Sequence, residues 1–398
     1  MPTDLNLEEA VLTPGTERAM AAAEHILAFL LKHRGADAFV AGGSDFLAGN
    51  PQELAMPAYV AAVQRALVPD RASYYAYGPP WQPAVDAVAA ALAGRLDLDL
   101  DVRDVFLTRG AASGLQILLR LLVGPGDEVM MMSPPWFFYE PLVLAEGAEP
   151  VKVPLVGDAF DLDVAAIERA ITAKTRVVVV NTPHNPSGRI YPAGALTALA
   201  AALEDASSRY GRRIYLISDE AYARILFDGN PMLTPGRFYP ATFLLHTYSK
   251  SLLAPSQRAG YLAMAPGMPH RERLRTALFW GSLSTGSVPD TAMQHAMPEL
   301  EEMCIDVGAI ERRRDRLVAE LRQMGYEVGV PEGAFYLFPR SPVPDAIGFC
   351  DRLAEGGVLT LPGEAFERPG HFRLSLTATD AMVDRALPVL AEAIGARA

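Results

Sequence analysis

The pattern of apolar and polar positions changes character along the chain. Between residues 104 and 265, six short runs are apolar almost throughout: DVFLT (104–108), VMMMS (129–133), RVVVV (176–180), RIYLIS (213–218), TFLLHT (242–247) and AGYLAM (259–264). Helical periodicity fills most gaps between them, most plainly in ASGLQILLRLLV (112–123) and ALTALAAALEDASS (195–208). Continuously apolar strands separated by helices predict a mainly parallel sheet covered on both faces, in other words an α/β sandwich. Right-handed crossovers connect such strands.

Beyond Pro289 the pattern differs. A charge-laced segment, Glu299–Met324, predicts one long helix. Short strands are predicted near YEVGV (326–330) and AFYLFP (334–339), then a helix near Asp345–Glu355 and a closing helix from Asp380. This predicts a smaller α+β domain. An amphipathic helix over Thr16–His33 is expected to pack with it or across a subunit. The expected division is a large α/β domain over 50–290, with 1–49 and 291–398 forming the small one.

The chain has 398 residues, half of them hydrophobic, enough for more than one core. Its formal net charge of −12, without any Lys/Arg run, argues against nucleic-acid or anionic-membrane partners. The acidic start MPTDLNLEEA lacks the basic opening of a secretory signal, and no apolar stretch is long enough to span a membrane. A cytoplasmic protein is expected. Cys304 and Cys350 have no partner spacing, so neither a disulfide framework nor a metal site is expected.

In open α/β sheets, ligands gather where strand carboxyl ends feed helix N-termini. After the first run, Thr108-Arg109-Gly110-Ala111-Ala112-Ser113 is small enough for backbone N–H groups to reach an anion. Ser133-Pro134-Pro135-Trp136-Phe137 offers an aromatic ring for stacking. In NTPHNPSG (181–188), Asn185 can present an amide to a ligand, while His184 has no metal or triad spacing. Asp219 ends a buried strand and needs a cation or donor there. Tyr222, three residues on, shares its side if a helical turn begins. Lys250 follows the fifth run, where partial desolvation suits an amine nucleophile. Thr247, Ser249 and Arg258 beside it suit a phosphate. A nicotinamide site is not expected, because no G-x-G-x-x-G opens a helix after a strand.

NTPHNPSG, SDEAY (218–222) and the Ser249-Lys250…Arg258 segment resemble the fold-type I pyridoxal 5′-phosphate (PLP) enzymes, in particular the class I/II aminotransferase family. The resemblance runs from about Gly49 to Arg373. It implies that Lys250 forms the Schiff base with PLP, that Asp219 pairs with the pyridine nitrogen, and that Asn185 and Tyr222 contact the ring oxygen. It further implies phosphate contacts from Ala111, Ala112, Thr247, Ser249 and Arg258, and a ring stack from Trp136. Arg373, in HFRLSLTAT, is implied to hold the substrate carboxylate bidentately, helped by Gly49 and Asn185.

The implied activity is transfer of an amino group from an L-amino acid to a 2-oxo acid, in a ping-pong cycle through pyridoxamine phosphate. A homodimer with shared active sites is implied as well. The same cofactor residues would also serve an oxidase, hydroxylase, lyase or synthase, or a non-catalytic PLP sensor. One departure stands out. The family's Y-x4-G-x3-L-R pattern falls on SYYAYGPPWQPAVDA (73–87), with Trp81 at the glycine and Val85-Asp86 at Leu-Arg. The tyrosine that reaches a neighbouring subunit is therefore open among Tyr74, Tyr75 and Tyr77. Dicarboxylate-specific members carry an extra cation; one such place aligns with Ala112, and WGSLSTGSVPD (280–290) contains no Arg or Lys, which disfavours aspartate by those modes.

Overall fold

The computed structural model describes residues 11–33 and 42–395; the acidic N-terminal decapeptide lies outside them. The elements are α1 (Pro14–His33), β1 (Ser44–Asp45), α2 (Pro57–Ala66), α3 (Gln82–Leu96), β2 (Val105–Thr108), α4 (Ala111–Leu122), β3 (Glu128–Ser133), α5 (Tyr139–Ala145) and β4 (Glu149–Pro154). They continue with α6 (Val164–Ala170), β5 (Thr175–Asn181), α7 (Ala193–Tyr210), β6 (Tyr215–Asp219), β7 (Thr242–Thr247), the single turn α8 (Tyr248–Ser251) and β8 (Gly260–Met264). The last are α9 (Arg271–Thr285), α10 (Thr291–Leu300), α11 (Val307–Met324), β9 (Tyr336–Leu337), α12 (Ala346–Glu355), β10 (Val358–Leu359), β11 (Leu361–Pro362), β12 (Phe372–Ser375) and α13 (Asp380–Gly395).

All six predicted strands lie in one seven-stranded sheet, ordered β2-β8-β7-β6-β5-β3-β4. The strands from β7 across to β4 run parallel; β8 alone is antiparallel to both its neighbours. The four valines of β5 are 2% exposed or less, each contributing about 1.5–3 kcal/mol of burial. The sheet had one strand more than the pattern predicted. β4 (EPVKVP) lies at the edge, half-exposed and with proline at two positions, which an edge strand tolerates because its outer N–H groups need no partner.

The expected helix over Glu299–Met324 is broken. Glu301 turns inward to pair with Arg95 at 2.6 Å, and Asp306 caps a new helix by accepting from the Ala309 amide at 2.9 Å. YEVGV forms no ladder. Its chain is pinned where the Arg322 guanidinium donates to the Val328 carbonyl at 2.9 and 3.2 Å. A second apolar cluster gathers Phe46, Ile305, Leu317, Phe335, Phe349, Phe372 and Leu390, and includes Tyr222 from the loop after β6. α1 lies along α5 rather than on the small unit alone: Arg18 pairs with Glu149 at 2.6 Å, and only its far end reaches α12, through Lys32 and Asp351 at 2.7 Å.

Candidate active site

The carboxyl ends of β2, β5, β6 and β7 open on one cavity of about 280 Å³. Gly49, Ala111, Ala112, Trp136, Asn185, Tyr222, Thr247, Ser249, Lys250, Arg258 and Arg373 all line it. Asp219 lies buried beside it, close enough for its charge and that of Lys250 to interact. The structure thus brings every sequence-predicted residue to one place.

One end is an anion cradle. Gly110 precedes α4 with φ +84°, a left-handed conformation that glycine adopts without strain. A Cβ there would stand 2.6 Å from the Arg258 guanidinium, so a side chain would fill the cradle. The first N–H groups of α4 face the same space, and the helix dipole favours negative charge there. Arg258 donates to the Ser249 hydroxyl at 2.9 Å, and the Thr247 hydroxyl donates to Ser249 at 2.8 Å. Among the described residues Arg258 has no carboxylate partner, and burial pushes its pKa down. A phosphate would complete this donor set.

Beside the middle of the cavity, Asp219 is buried. The Asp219 carboxylate accepts from the Tyr139 hydroxyl at 2.5 Å and from the Ala221 amide at 3.2 Å. Burial pushes its pKa up, while those two donors and nearby Lys250 pull it down. Trp136 packs edge-on to Tyr139 with centroids 5.3 Å apart. His184, expected only to occupy its loop, ties two site loops together: it bonds the Ser187 hydroxyl at 2.8 Å and the Pro134 carbonyl at 3.0 Å. Burial pushes it down to about 4, so it stays neutral.

Opposite the cradle, Arg373 is held on all sides. Its guanidinium lies 3.9 Å from the Tyr336 ring centroid and 4.8 Å from that of Phe366. It donates to the Asn185 side-chain oxygen at 2.9 Å and to the Leu47 carbonyl at 3.0 Å. Among the described residues its buried Nε has no hydrogen-bond partner. Leaving a buried charged donor unpaired is costly, and an incoming carboxylate would remove that cost. Fixing the Asn185 oxygen on Arg373 leaves its amide nitrogen as the donor toward the cavity.

These features fit PLP: a cradle for its phosphate, a buried carboxylate for its ring nitrogen, two polar groups for its ring oxygen and a primary amine for its aldehyde. The family model "Aminotransferase class I and II" matches residues 43–390. The chain belongs to the class I and II aminotransferases. It is similar to the aspartate/prephenate aminotransferase of Thermus thermophilus, 32% identical over 92% of this chain and 93% of that one. It is also similar to the arginine–pyruvate transaminase of Pseudomonas aeruginosa, 32% identical over 70% and 71%. A solved aminotransferase from Eubacterium rectale superposes with a TM-score of 0.87 at 27% identity, covering 97% of this chain and 98% of that one. As a member of this family, the chain is a fold-type I, PLP-dependent enzyme that transfers an amino group between an amino acid and a 2-oxo acid.

Sequence reading missed Tyr139, Tyr336 and Phe366 in this aminotransferase. The signal for Tyr139 was present, since it follows Trp136 by the same three-residue step that joins Asp219 to Tyr222. Tyr139→Phe removes a hydrogen bond to a charged group, worth about 1.5–3 kcal/mol, and lets burial raise the Asp219 pKa further. In the apoprotein, a carboxyl with a raised folded pKa destabilises the fold as pH climbs from the unfolded value toward the folded one. The variant apoprotein should therefore lose more stability across that interval. In the loaded enzyme, the acid limb of kcat/KM should move up by about 1–2 pH units. Thermal melts and pH–rate profiles check both, and an unmoved acid limb would count against Tyr139 acting on Asp219.

Proposed function

We propose that Lys250 is the amine that bonds PLP and then moves the proton at the substrate Cα. The carrying observation is that Lys250, Asp219, Asn185, Tyr222, Arg258 and Arg373 converge on one cavity. Bound PLP supplies an aromatic electron sink for the electrons left at that carbon. Asp219 keeps the proton on the ring nitrogen, while Asn185 and Tyr222 donate to the ring oxygen. Ala111, Ala112, Thr247, Ser249 and Arg258 hold the phosphate, and Trp136 covers the ring. Arg373, with Gly49 and Asn185 beside it, clamps the substrate carboxylate and so fixes which Cα bond faces the ring. Lys250, free of any ion pair among the described residues, serves as general acid and base. The donor is an L-amino acid, the acceptor a 2-oxo acid, and the two half-reactions alternate in ping-pong order.

A cytoplasmic homodimer is proposed. Among the described residues no helix is long and apolar enough to cross a membrane. Tyr74 donates to the Ala66 carbonyl and Tyr75 to the Leu67 carbonyl, whereas Tyr77 is fully exposed. Tyr77 is thus the tyrosine available to a neighbouring subunit. Trp280, Leu67 and Val68 are exposed apolar side chains of the kind an interface covers. For the two-domain division (50–290; 1–49 with 291–398), the second apolar cluster, drawn mainly from 305–390 with Phe46, is the support, whereas α10 shares a core with α2, α3 and strands β2, β7 and β8, which speaks for a seam after Leu300.

The test is spectroscopic. Adding amino acids without an acceptor should convert the cofactor's absorbance to that of its aminated form, and a 2-oxo acid should restore it. Sedimentation of the same sample should give twice the chain mass. Absorbance that recovers only with oxygen would overturn transamination in favour of oxidation.

A further inference from the structure

Tyr336 lines the cavity, touches both Arg373 and Tyr222, and has no role in the assignment above. It sits on β9, whose register against β12 sets Tyr336 opposite Ser375 and Leu337 opposite Leu374, next to Arg373. One face of its ring carries the Arg373 guanidinium at 3.9 Å. Its hydroxyl accepts from the Tyr222 hydroxyl at 3.3 Å. The segment bearing Gly49 passes directly over that hydroxyl: a Cβ on Gly49 would stand 2.8 Å from the Tyr336 oxygen and 2.3 Å from the Phe335 ring. Only glycine lets the chain cross there, and its amide also hydrogen-bonds the Tyr336 oxygen.

Two connections therefore run from Arg373 to the groups assigned to the cofactor's ring oxygen. One goes through the Asn185 amide. The other goes from Arg373 through the Tyr336 ring and hydroxyl to Tyr222.

We propose that Tyr336 is a positioning residue that transmits carboxylate occupancy at Arg373 to Tyr222, in parallel with Asn185. This rests on the roles given above to Arg373 and Tyr222. The titratable groups facing Tyr336 are Arg373 from β12, Lys250 from α8 and Tyr222 from the loop after β6. Burial alone would raise the Tyr336 phenol; Arg373, Lys250 and the donors Tyr222 and Gly49 outweigh it and hold it below its ordinary value. A carboxylate at Arg373 cancels the largest of those cationic influences. The Tyr336 oxygen then becomes the more basic acceptor and draws the Tyr222 proton toward itself. Donation by Tyr222 to the ring oxygen weakens, and the proton affinity of the lysine-bound cofactor rises.

The experiment titrates the visible absorbance of the holoenzyme against pH, with and without saturating succinate or 3-phenylpropanoate, neither of which can react. In the unaltered enzyme, one of these carboxylates should raise the apparent pKa. Tyr336→Phe keeps the stacked ring and removes only the hydroxyl; it should reduce that rise by half or more. Tyr222→Phe removes the donor and should reduce it likewise, so it carries the test if the first variant does not fold. Tyr336→Leu should in addition weaken carboxylate binding about tenfold through loss of the stack. A merely structural role would lower the melting temperature and leave the carboxylate-induced rise intact; that result overturns the proposal. Absence of any rise in the unaltered enzyme with either carboxylate would instead overturn the assignment of Arg373, and the proposal with it.

Discussion

Lys250→Ala is expected to lose the visible absorbance of the lysine-bound cofactor and nearly all turnover. The proton-transfer role alone accounts for roughly 10²–10⁴-fold, and loss of the covalent anchor adds to it. The fold should tolerate the change. Lys250 is only partly buried, forms no ion pair among the described residues, and lies 5.9 Å from the Tyr222 and Phe335 ring centroids. Melting should shift by less than about 1 kcal/mol equivalent. A spectrum that survives the substitution would remove Lys250 from the centre of the mechanism.

Arg373→Lys should leave the cofactor's absorbance in place and damage substrate capture. Truncating one partner of a buried, hydrogen-bonded charge pair costs about 2–5 kcal/mol, or roughly 30-fold to several thousand-fold in KM for the amino acid. Lysine keeps the charge but loses the planar fork, the bond to Asn185 and the stack between Tyr336 and Phe366. Unliganded stability should also fall, because the bond to Asn185 and the stack exist without substrate, but by less than the binding loss, since the buried Nε has no hydrogen-bond partner among the described residues. Steady-state kinetics beside a melt separates these outcomes. An unchanged KM would free Arg373 of its assigned role.

The parts of this enzyme legible from sequence were those with strong local signatures. Fully buried strands such as RVVVV have no other reading, and the loops after them carry Asn185, Asp219 and Lys250 where the chain must turn. The less legible parts depend on partners distant in sequence. Edge strand β4 lacks an apolar run because one side of its ladder faces solvent. The break before α11 arises because Glu301 is drawn inward by Arg95, more than two hundred residues away, while the apolar periodicity runs on across it. Tyr336 and Phe366 read as ordinary core aromatics. Only the arrival of Arg373 between them, from a strand late in the chain, gives them a polar task.

The lone antiparallel strand of the sheet has a mechanical consequence. A parallel β8 would have begun at the far edge, leaving Arg258 on the opposite side from Lys250. Because β8 runs backwards, the chain leaves β7, makes one turn and re-enters at the same edge. Lys250 and Arg258, proposed above as the covalent anchor and a phosphate contact, thus sit on the two arms of one short loop between β7 and β8. The reach between aldehyde and phosphate in the cofactor is fixed by its bonds, and this loop acts as the matching gauge. Insertions or deletions within residues 251–257 would change the gauge while leaving every named side chain present, so loop length is as much a part of the cofactor's recognition as the residues that touch it.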